Sequence, residues 1–582
     1  MNGNNSINDD INSNNTFSNN TINNNTINNN TNNIGNNNSN NKTSTDINIR
    51  TSFDDLDFNN KDPLFFSSGN EYMYRADHGE DDNEDDEDMG SGFIGGKKKK
   101  RDDFLIDGFD ENSEEMIPRD KKKEGLFGYH KNGNKIMIFV GLVLITFLLC
   151  SVALVYYAGK HPKFINTDTD IKPTIVISID SFRAEYLERG LTPNLQKFID
   201  DNSFRAQYTT AQFPSKTFPN HYSIATGLYP EDHGIVSNHM YDQNTNKIFN
   251  AGHPESLDPS WWWGEPIWVT AKKSQIKTAC YFWPGCGIKI KGVYPELNID
   301  PFNQTVSSDE VFKQLYQWRD SADSKNTPPT LTMAYVHEVD DAGHRYGPNS
   351  KEVNQSISSM DKSIGGLIDL LKASNLYNQT NIIFVSDHGM IEIPSSKYIY
   401  LDALDPLIST KFFTPDAISS KGFSNPSPII SIFPNDTRYS IDYLYNELNR
   451  NKSEYVTFYK KDDIPEEFFF NSKSNDRIPP LLGFAKPGYS IVVDKELLTP
   501  TPPELGNHGY DPSIVEMHSI FIARGPNIKS SGAEDNETTT TLKSFKNIEI
   551  YNLLAKLIGV DSKNSAPNNG TSLLIDKLYK KK

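Results

Sequence analysis

The sequence predicts an α/β fold with a mostly parallel central sheet flanked by helices, preceded by a disordered tail and one transmembrane helix. Short runs rich in β-branched residues alternate with helical stretches over the C-terminal two thirds of the chain. A single long apolar segment precedes this region, and the sequence before that segment consists largely of Asn, Ser and Thr. These three observations divide the chain into a tail, an anchor and one large globular domain.

The N-terminal region, residues 1–135, is predicted to be a disordered tail. Its first 60 residues are dominated by Asn and contain almost no aromatic side chains, so they cannot bury enough apolar surface to offset the entropy lost on ordering. An acidic run at residues 80–88 and a basic run at 97–101 follow. Both are typical of solvated low-complexity sequence, although the basic run also suits contact with lipid headgroups.

The apolar segment, residues 136–159, contains no charged side chain. At 1.5 Å per residue a helix of this length crosses a hydrocarbon core of roughly 30 Å. Lysines are more frequent before the segment than after it, which favours a cytosolic N-terminus and a single-pass type II signal anchor. We therefore expect a stalk at 160–171, a globular domain at 172–574 on the extracellular or lumenal side, and a basic tail at 575–582.

Glycosylation sequons and cysteines agree with an oxidising compartment. Asn-x-Ser/Thr triplets begin beyond the apolar segment at Asn303, Asn354, Asn378, Asn435, Asn451, Asn536 and Asn569. In an Asn-rich chain some of these triplets arise by chance. Cys280 and Cys286 are close enough in sequence to form one small-loop disulfide, although two free buried thiols remain an alternative.

The globular domain begins with a continuous β-branched run that ends in a carboxylate, which is typical of a buried parallel strand. Similar runs and two helical stretches follow. The predicted strands are Pro173–Asp180, Thr332–Val336, Asn381–Val385 and Ser519–Ala523, and the predicted helices include Pro193–Asp200 and Lys362–Leu371.

Three of these strands lead directly into ionisable residues. Ligands bind beyond the carboxyl ends of strands in open α/β sheets, so these residues are expected to converge on one site. Mixed Asp and His ligands suit Zn²⁺, and six are too many for one tetrahedral ion, so they suggest a pair of ions. Taken singly, each residue also fits a helix cap, a loop or a turn. The candidate metal ligands are Asp180, Asp340, His344, Asp387, His388 and His508.

The segment Phe213–Tyr222 has the pattern of a helix start. Pro219 suits the first turn of a helix and Gly227 suits its C-terminal end, which places Thr217 at the helix N-terminus. Unpaired backbone N–H groups and the helix dipole favour anions there, so a phosphate can dock beside the Thr217 hydroxyl. An ordinary N-cap threonine is the alternative for this residue taken alone.

Eight segments match the pattern of one known family: 178–186, 213–222, 226–235, 264–268, 281–285, 340–344, 386–390 and 507–511. Through them, residues from about 171 to about 574 resemble the nucleotide pyrophosphatase/phosphodiesterases of the alkaline-phosphatase superfamily. The resemblance implies an alkaline-phosphatase-like fold and a phosphodiesterase catalytic domain over 172–574. It also implies hydrolysis of phosphodiester and pyrophosphate bonds in nucleotides, with release of nucleoside 5′-monophosphates.

The same resemblance assigns roles to individual residues. Thr217 is expected to be the nucleophile that forms a phospho-threonine intermediate, and Asn238 is expected to help hold the oxyanion. Two zinc ions are implied. One would be bound by Asp340, His344 and His508, and the other by Asp180, Asp387, His388 and Thr217.

Substrate binding is expected to use two aromatic side chains. Phe218 follows the nucleophile and Phe302 is placed by position in the match, so that together they would stack on the two faces of a base. A surface aromatic beside the sequon at Asn303 is the alternative for Phe302.

The chain departs from the family pattern at three places. Ser181 replaces the usual Gly and Val339 replaces the usual Pro. No Lys occurs around Glu255 and Ser256, where nucleotide-preferring relatives often have one, which weakens any prediction of base preference.

Other functions compete with this hypothesis. A phosphomonoesterase or a choline- or lipid-directed phosphodiesterase shares the fold and metal ligands, because substrate choice depends on the flanking loops. A non-catalytic receptor ectodomain is a second alternative, although it has no need for six ligands and Thr217 together. The net charge of −18, without a basic patch interleaved with aromatics, argues against nucleic-acid binding.

Overall fold

A computed structural model describes residues 139–151 and 171–580, with gaps at 322–326, 404–410, 416–425, 436, 451, 497, 499–503 and 530–540. The first ten strands are β1 Thr174–Ile179, β2 Phe204–Ala206, β3 Thr209–Thr210, β4 His239–Asp242, β5 Lys247–Asn250, β6 Thr278–Tyr281, β7 Leu297–Ile299, β8 Leu331–Val336, β9 Asn381–Val385 and β10 Ile391–Glu392. The others are β11 Tyr398–Tyr400, β12 Phe412–Phe413, β13 Ile429–Pro434, β14 Val456–Lys460, β15 Leu481–Ala485, β16 Ser490–Val492, β17 Gly506–Asn507, β18 Phe521–Arg524, β19 Thr541–Leu542 and β20 Phe545–Lys546.

The helices of the described residues begin with α1, residues 139–151. They continue with α2 Pro193–Asp200, α3 Thr217–Thr226, α4 Pro230–His233, α5 Ile267–Lys273, α6 Ser308–Asp320, α7 Glu338–Tyr346, α8 Lys351–Ala373, α9 Ile441–Arg450, α10 Ile550–Leu557 and α11 Leu573–Leu578.

The central sheet has eight strands in the order β19-β2-β18-β9-β1-β8-β6-β7. The β1 strand pairs in parallel with β8 on one side and with β9 on the other, and β6 continues the parallel arrangement to β7. Strand β18 runs antiparallel to β9 and β2. Because β9, β1 and β8 are adjacent and parallel, their carboxyl ends lie side by side at one edge of the sheet.

Helices cover both faces of this sheet. Side chains alternate along β1, so Ile175, Ile177 and Ile179 enter one core cluster together with residues of α2, α6 and α8. Val176 points to the opposite face and joins a second cluster that contains residues of α3, α5 and α10. Both faces of β1 are buried, which explains its continuous β-branched sequence.

A smaller antiparallel sheet has the strand order β12-β13-β15-β14. It shares a separate apolar cluster with α9, in which Leu444 and Leu448 are fully buried. After this sheet the chain reaches β17, which pairs antiparallel with β10 in a two-stranded sheet, carries Asn507 and leads into His508.

The strands and helices predicted from the sequence are confirmed, with shifted ends. Helix α2 has the predicted bounds, whereas α8 begins eleven residues before the predicted Lys362, at Lys351. Its start is set by Ser350, whose hydroxyl accepts a hydrogen bond from the backbone N–H of Val353. The predicted strand Ser519–Ala523 is β18, Phe521–Arg524, and Ser519 itself forms isolated bridges instead.

The predicted membrane segment, 136–159, is described only over α1, where the apolar side chains are exposed. Within the part of the chain that the structure describes, no helix is both long and apolar enough to cross a membrane. The tail at 1–135 and the stalk except for Ile171 lie outside the described residues. At the other end, α11 runs past residue 574 and buries Leu578, so packing continues beyond the predicted end of the domain.

Cys280 and Cys286 form a disulfide. Cys280 lies in β6 and both residues are buried, so the bond closes a seven-residue segment at the carboxyl end of that strand.

Candidate active site

Helix α3 carries Thr217 as its first residue, with Lys216 at the N-cap position. Thr217 is therefore inside the helix and is not its N-cap, and the N-cap residue Lys216 makes no side-chain capping hydrogen bond. The helix ends at Gly227, whose φ of 70° is the left-handed conformation that favours glycine. All ten helical residues are buried, so the hydroxyl of Thr217 has a fixed position.

The loop before α3 is held by Asn220. Its Nδ2 group donates to the carbonyl oxygens of Gln212, Pro214 and Lys216, and its Oδ1 atom accepts from the backbone N–H of Gln212 at 2.6 Å. These bonds connect the first helical turn to the approaching chain, which explains how a loop rich in Pro and Ser reaches Thr217 in one conformation.

Three neighbouring strand ends supply most of the predicted ligands. Asp180 follows β1, Asp387 and His388 follow β9, and α7, which follows β8, carries Asp340 and His344. His508 comes from the segment after β17. The structure thus brings all six predicted ligands together, as the argument from strand ends predicted.

The six side chains form two groups of three: Asp180, Asp387 and His388, and Asp340, His344 and His508. Within each group the ligand atoms lie within 4.8 Å of one another. The two groups are adjacent, since the rings of His388 and His508 are stacked with centroids 3.7 Å apart. Thr217 Oγ1 lies 3.3 Å from Nε2 of His388, which places it beside the first group.

The three histidines are oriented in the same way. In each ring Nδ1 lies 3.0 Å from a backbone carbonyl oxygen: that of Gly389 for His388, of Gly506 for His344 and of Ser215 for His508. A carbonyl only accepts hydrogen bonds, so in the neutral ring Nδ1 carries the proton and Nε2 presents its lone pair. This is the arrangement of histidines that bind metal ions through Nε2.

The lone pairs face one another and the carboxylates. Nε2 of His344 is 3.1 Å from Nε2 of His508, and Nε2 of His388 is 3.0 Å from Asp387 Oδ2. Acceptors at these distances repel each other unless a positive charge lies between them. The donor set therefore fits divalent cations.

Three buried carboxylate oxygens agree with this interpretation. Asp180 Oδ1, Asp340 Oδ1 and Asp387 Oδ2 are buried and have no hydrogen-bond partner among the described residues. Leaving such atoms unpaired costs about 1–3 kcal/mol each, and more when they are charged. Each belongs to one of the two groups, so the unpaired oxygens lie where a cation would bind.

Burial and mutual repulsion disturb the acid–base equilibria of this site. Burial, followed by the charges of Asp387 and Asp340, raises the pKa of Asp180 well above its ordinary value. Burial also raises the pKa of Asp340. For Asp387 burial acts in the same sense, but the nearby His388 and His221 outweigh it and hold the pKa low. Bound cations would relieve the repulsion by favouring the ionised carboxylates.

Two supporting residues were not identified from the sequence. Tyr335, in β8, donates its hydroxyl to Asp180 Oδ2 at 2.7 Å and orients that carboxylate. His221, one turn after Thr217 in α3, has Nδ1 2.9 Å from the Thr217 carbonyl and 3.4 Å from Asp387 Oδ2. Its Nε2 atom lies 2.8 Å from the Ser178 hydroxyl. Apolar periodicity gives no signal for such contacts, because they join elements far apart in sequence.

Ser181, the departure from the family's glycine, also contacts the site. Its φ is 56°, a left-handed conformation that a glycine adopts without strain. Its hydroxyl lies 3.2 Å from Nδ1 of His388, and its backbone N–H donates to Asp387 Oδ1. The polar side chain thus adds a contact to His388 that a glycine lacks.

Asn238 is buried beside the first turn of α3. Its Oδ1 atom accepts a hydrogen bond of 2.9 Å from the backbone N–H of Phe218, the residue after Thr217. The amide is thereby oriented with its NH₂ group as the remaining side-chain donor.

A cleft opens at Phe218, the residue after Thr217, and is lined by both aromatic residues that were predicted to stack on a base. Phe218 and Phe302 are each 7% exposed. Phe302 is therefore not a surface aromatic: it packs edge to face against Phe282, Tyr335 and the ring of His337. Ser256 also lines the cleft.

Comparison with known proteins identifies the part of the chain that contains this site. The family model described as type I phosphodiesterase / nucleotide pyrophosphatase matches residues 174–511. Bovine ectonucleotide pyrophosphatase/phosphodiesterase family member 3 is 36% identical over 422 residues, which cover 71% of this chain and 44% of the bovine protein. Venom phosphodiesterase 2 of Crotalus adamanteus is 36% identical over 415 residues, covering 70% of this chain and 47% of the venom protein.

A pyrophosphatase/phosphodiesterase of Schizosaccharomyces pombe, itself uncharacterized, matches over more of its length: it is 36% identical over 74% of this chain and 85% of the yeast protein. The chain thus spans less than half of the bovine and venom relatives but most of the yeast one. Among solved structures, murine ectonucleotide pyrophosphatase/phosphodiesterase 5 superposes with a TM-score of 0.61 at 32% identity. That match covers 70% of this chain and 100% of the murine one, and an inactive variant of the murine protein was solved in complex with AMP.

The ligand geometry predicts how metal binding responds to mutation. We expect His508→Ala and Asp387→Ala each to weaken Zn²⁺ binding by at least roughly tenfold, because each substitution removes a donor from a group of three. The measurement is calorimetric titration and metal analysis of the full-length protein. His253→Ala, outside both groups, is the matched control. Wild-type affinity in both ligand variants would contradict the metal-site assignment.

Proposed function

Because the chain belongs to the type I phosphodiesterase/nucleotide pyrophosphatase family, we propose that it hydrolyses phosphodiester and pyrophosphate bonds in nucleotides and their derivatives, releasing nucleoside 5′-monophosphates. The observation that carries the proposal is the position of Thr217. Its hydroxyl lies at a buried helix N-terminus, next to six metal-ligand side chains and next to an aromatic cleft. An AMP complex of the murine relative agrees with a nucleotide substrate.

Two zinc ions are the proposed cofactors. Asp180, Asp387, His388 and Thr217 would hold one, and Asp340, His344 and His508 would hold the other. Bound there, the ions supply electrostatic stabilisation of negative charge on the nucleophile and on the phosphoryl oxygens. The unpaired carboxylate oxygens and the inward Nε2 lone pairs support this assignment.

The chain's own groups account for the remaining chemistry. In the first step the Thr217 hydroxyl releases its proton to solvent and Oγ1 forms a bond to phosphorus while the bond to the leaving oxygen breaks, which yields a phospho-threonine diester. The N-terminus of α3 would lie beside the phosphoryl group, where the positive end of the helix dipole favours an anion. In the second step water attacks phosphorus and the bond to Thr217 breaks, so the hydroxyl is regenerated.

Asn238 is proposed to stabilise the oxyanion. Its amide is held by the N–H of Phe218, adjacent to the nucleophile, and its NH₂ group is the donor for this role. A preorganised donor of this kind is worth about 2.7–4 kcal/mol of transition-state stabilisation in other hydrolases.

We further propose that this domain functions on the extracellular or lumenal side of a membrane, anchored in the bilayer by residues 136–159 with the tail in the cytosol. The Cys280–Cys286 disulfide supports an oxidising compartment. The sequons of the C-terminal region agree with it, and Asn303 is exposed.

Removal of the proposed nucleophile should stop the reaction without disturbing the folded structure. Thr217→Ala is expected to abolish turnover of a nucleotide diester while leaving the circular-dichroism spectrum and most of the zinc content unchanged, since Asp180, Asp387 and His388 would still hold the ion beside it. Thr217→Ser is expected to retain part of the activity, because it keeps the oxygen. Hydrolysis by Thr217→Ala at a near wild-type rate would show that another group attacks phosphorus.

Loss of the second cleft aromatic should affect nucleotides selectively. Stacking of a base on an aromatic ring is worth about 1–3 kcal/mol, so Phe302→Ala is expected to lower kcat/KM for a nucleotide diester by roughly tenfold to a hundredfold. The measurement compares this substrate with a nitrophenyl phosphonate diester, which lacks a base and should lose far less. Equal losses on both would contradict base stacking and favour a choline- or lipid-directed activity.

Membrane topology can be tested on sealed vesicles that contain the full-length protein. We expect endoglycosidase treatment to shift the electrophoretic mobility of the protein. In vesicles whose cytosolic face points outward, external protease is expected to digest the N-terminal tail and to spare residues 172–574. Digestion of the globular domain together with the tail would place it in the cytosol and refute the type II orientation.

A further inference from the structure

Asp300 occupies a strand end equivalent to those that build the metal site. It directly follows β7, which extends the parallel part of the central sheet through β6 and β8. The β1, β8 and β9 ends lead to metal-ligand carboxylates, whereas the β6 and β7 ends lead to Phe282 and Asp300, which both line the aromatic cleft. The same edge of the sheet thus supplies a carboxylate to the cleft as well.

The carboxylate of Asp300 has a defined position in this cleft. A Cβ atom on Gly287 would lie 1.5 Å from Asp300 Oδ2, so the carboxylate packs against a backbone that has no side chain at that point. Phe218 and Phe302 line the same cleft. Asp300 itself remains accessible to solvent at the cleft, so a bound molecule can reach it.

No group of the described chain neutralises this carboxylate. The described residues form no hydrogen bond and no ion pair with it, and the residues that line the cleft include no Lys, Arg or His. Surrounding protein raises the pKa of Asp300 to about 6, without an opposing charge. A hydrogen-bond donor of the ligand would therefore find an unused acceptor among aromatic rings.

The geometry points to Asp300 as a specificity-determining residue that accepts a hydrogen bond from the amino group of a nucleobase held between Phe218 and Phe302. The inference rests on the proposed nucleotide activity and adds the substrate class: adenine or cytosine nucleotides in preference to those of hypoxanthine, uracil or thymine. A carboxylate accepts from an exocyclic NH₂ group but repels a carbonyl oxygen at the same position of the base. The absence of a lysine at Ser256 leaves Asp300 as the charged group of the cleft lining.

A quaternary ammonium group is the competing ligand, because aromatic rings and a carboxylate also bind choline. A nucleotide is favoured because Phe218 is adjacent in the chain to Thr217 and because the murine relative binds AMP. A choline ester therefore belongs in the test as a separate substrate.

The test uses two matched substrate pairs with the purified full-length protein: nitrophenyl 5′-esters of AMP and IMP, and of CMP and UMP. Within each pair the bases differ in an amino group against a carbonyl at one position. We expect wild-type kcat/KM to favour the amino member by roughly tenfold to a hundredfold, the range for a hydrogen bond to a charged acceptor. In Asp300→Ala and in the isosteric Asp300→Asn the ratio is expected to fall to within about threefold of unity, that is, about 0.7 kcal/mol or less.

Asp309→Asn is the matched control, because Asp309 is an exposed carboxylate in the first turn of α6, outside the cleft. It is expected to keep the wild-type ratios. A wild-type protein without amino preference, or ratios that survive both Asp300 substitutions, would overturn the inference. Selective loss of turnover of a nitrophenyl phosphocholine ester in Asp300→Asn, with unchanged nucleotide ratios, would reassign the carboxylate to a cation.

A base-free nitrophenyl phosphonate diester separates this inference from the proposed function. If the wild-type protein cleaves that diester and all four nucleotide esters equally, the inference about Asp300 fails and the phosphodiesterase activity stands. If it cleaves none of them, the proposed function fails and the inference fails with it.

Discussion

Repulsion among three buried carboxylates is the constraint on which this structure depends. Asp180, Asp340 and Asp387 are held close together away from water, and each has an oxygen without a hydrogen-bond partner. Such an arrangement is unfavourable in isolation, because removing charges from water costs several kcal/mol per ion. It is consistent with a folded protein if cations bind there, so metal binding and folding stability are expected to be coupled.

The rest of the fold prevents these side chains from turning away. Parallel pairing of β9, β1 and β8 fixes the spacing of the strand ends. Backbone carbonyls bind Nδ1 of His344, His388 and His508, so that no ring can rotate its Nε2 out of the site without losing a hydrogen bond. Tyr335 holds Asp180 in the same manner, and its ring lines the cleft, so one residue connects the candidate metal-ligand groups to the aromatic cleft.

Reaction chemistry and substrate choice are assigned to different parts of one sheet edge. The central strand ends carry the groups that would act on phosphorus, and the outer strands β6 and β7 carry cleft residues, among them Phe282 and Asp300. Thr217 and Phe218 join the two parts, since they are consecutive in α3. Substitutions in the outer loops can therefore alter substrate preference while the metal groups stay intact, which is why fold and ligands alone do not identify the substrate.

The sequence by itself determined four strands of the central sheet, the residues that meet at their ends and the position of α3. Both faces of β1 and β9 are buried, so their composition alone identified them, and a carboxylate after each strand identified Asp180 and Asp387. Likewise, Pro219 and Gly227 delimited the helix that begins at Thr217. These features are local, because they follow from periodicity and backbone preferences within about ten residues.

Only the tertiary structure decided which distant groups meet. It showed the unpaired carboxylate oxygens, the common orientation of the three histidines and the bond from Tyr335 to Asp180 across 155 positions. It also showed that Phe302 is buried and lines the cleft, and that Asp300 lines the same cleft. Such contacts depend on strand order and on how loops pack over the sheet edge, and neither is encoded in a short sequence pattern.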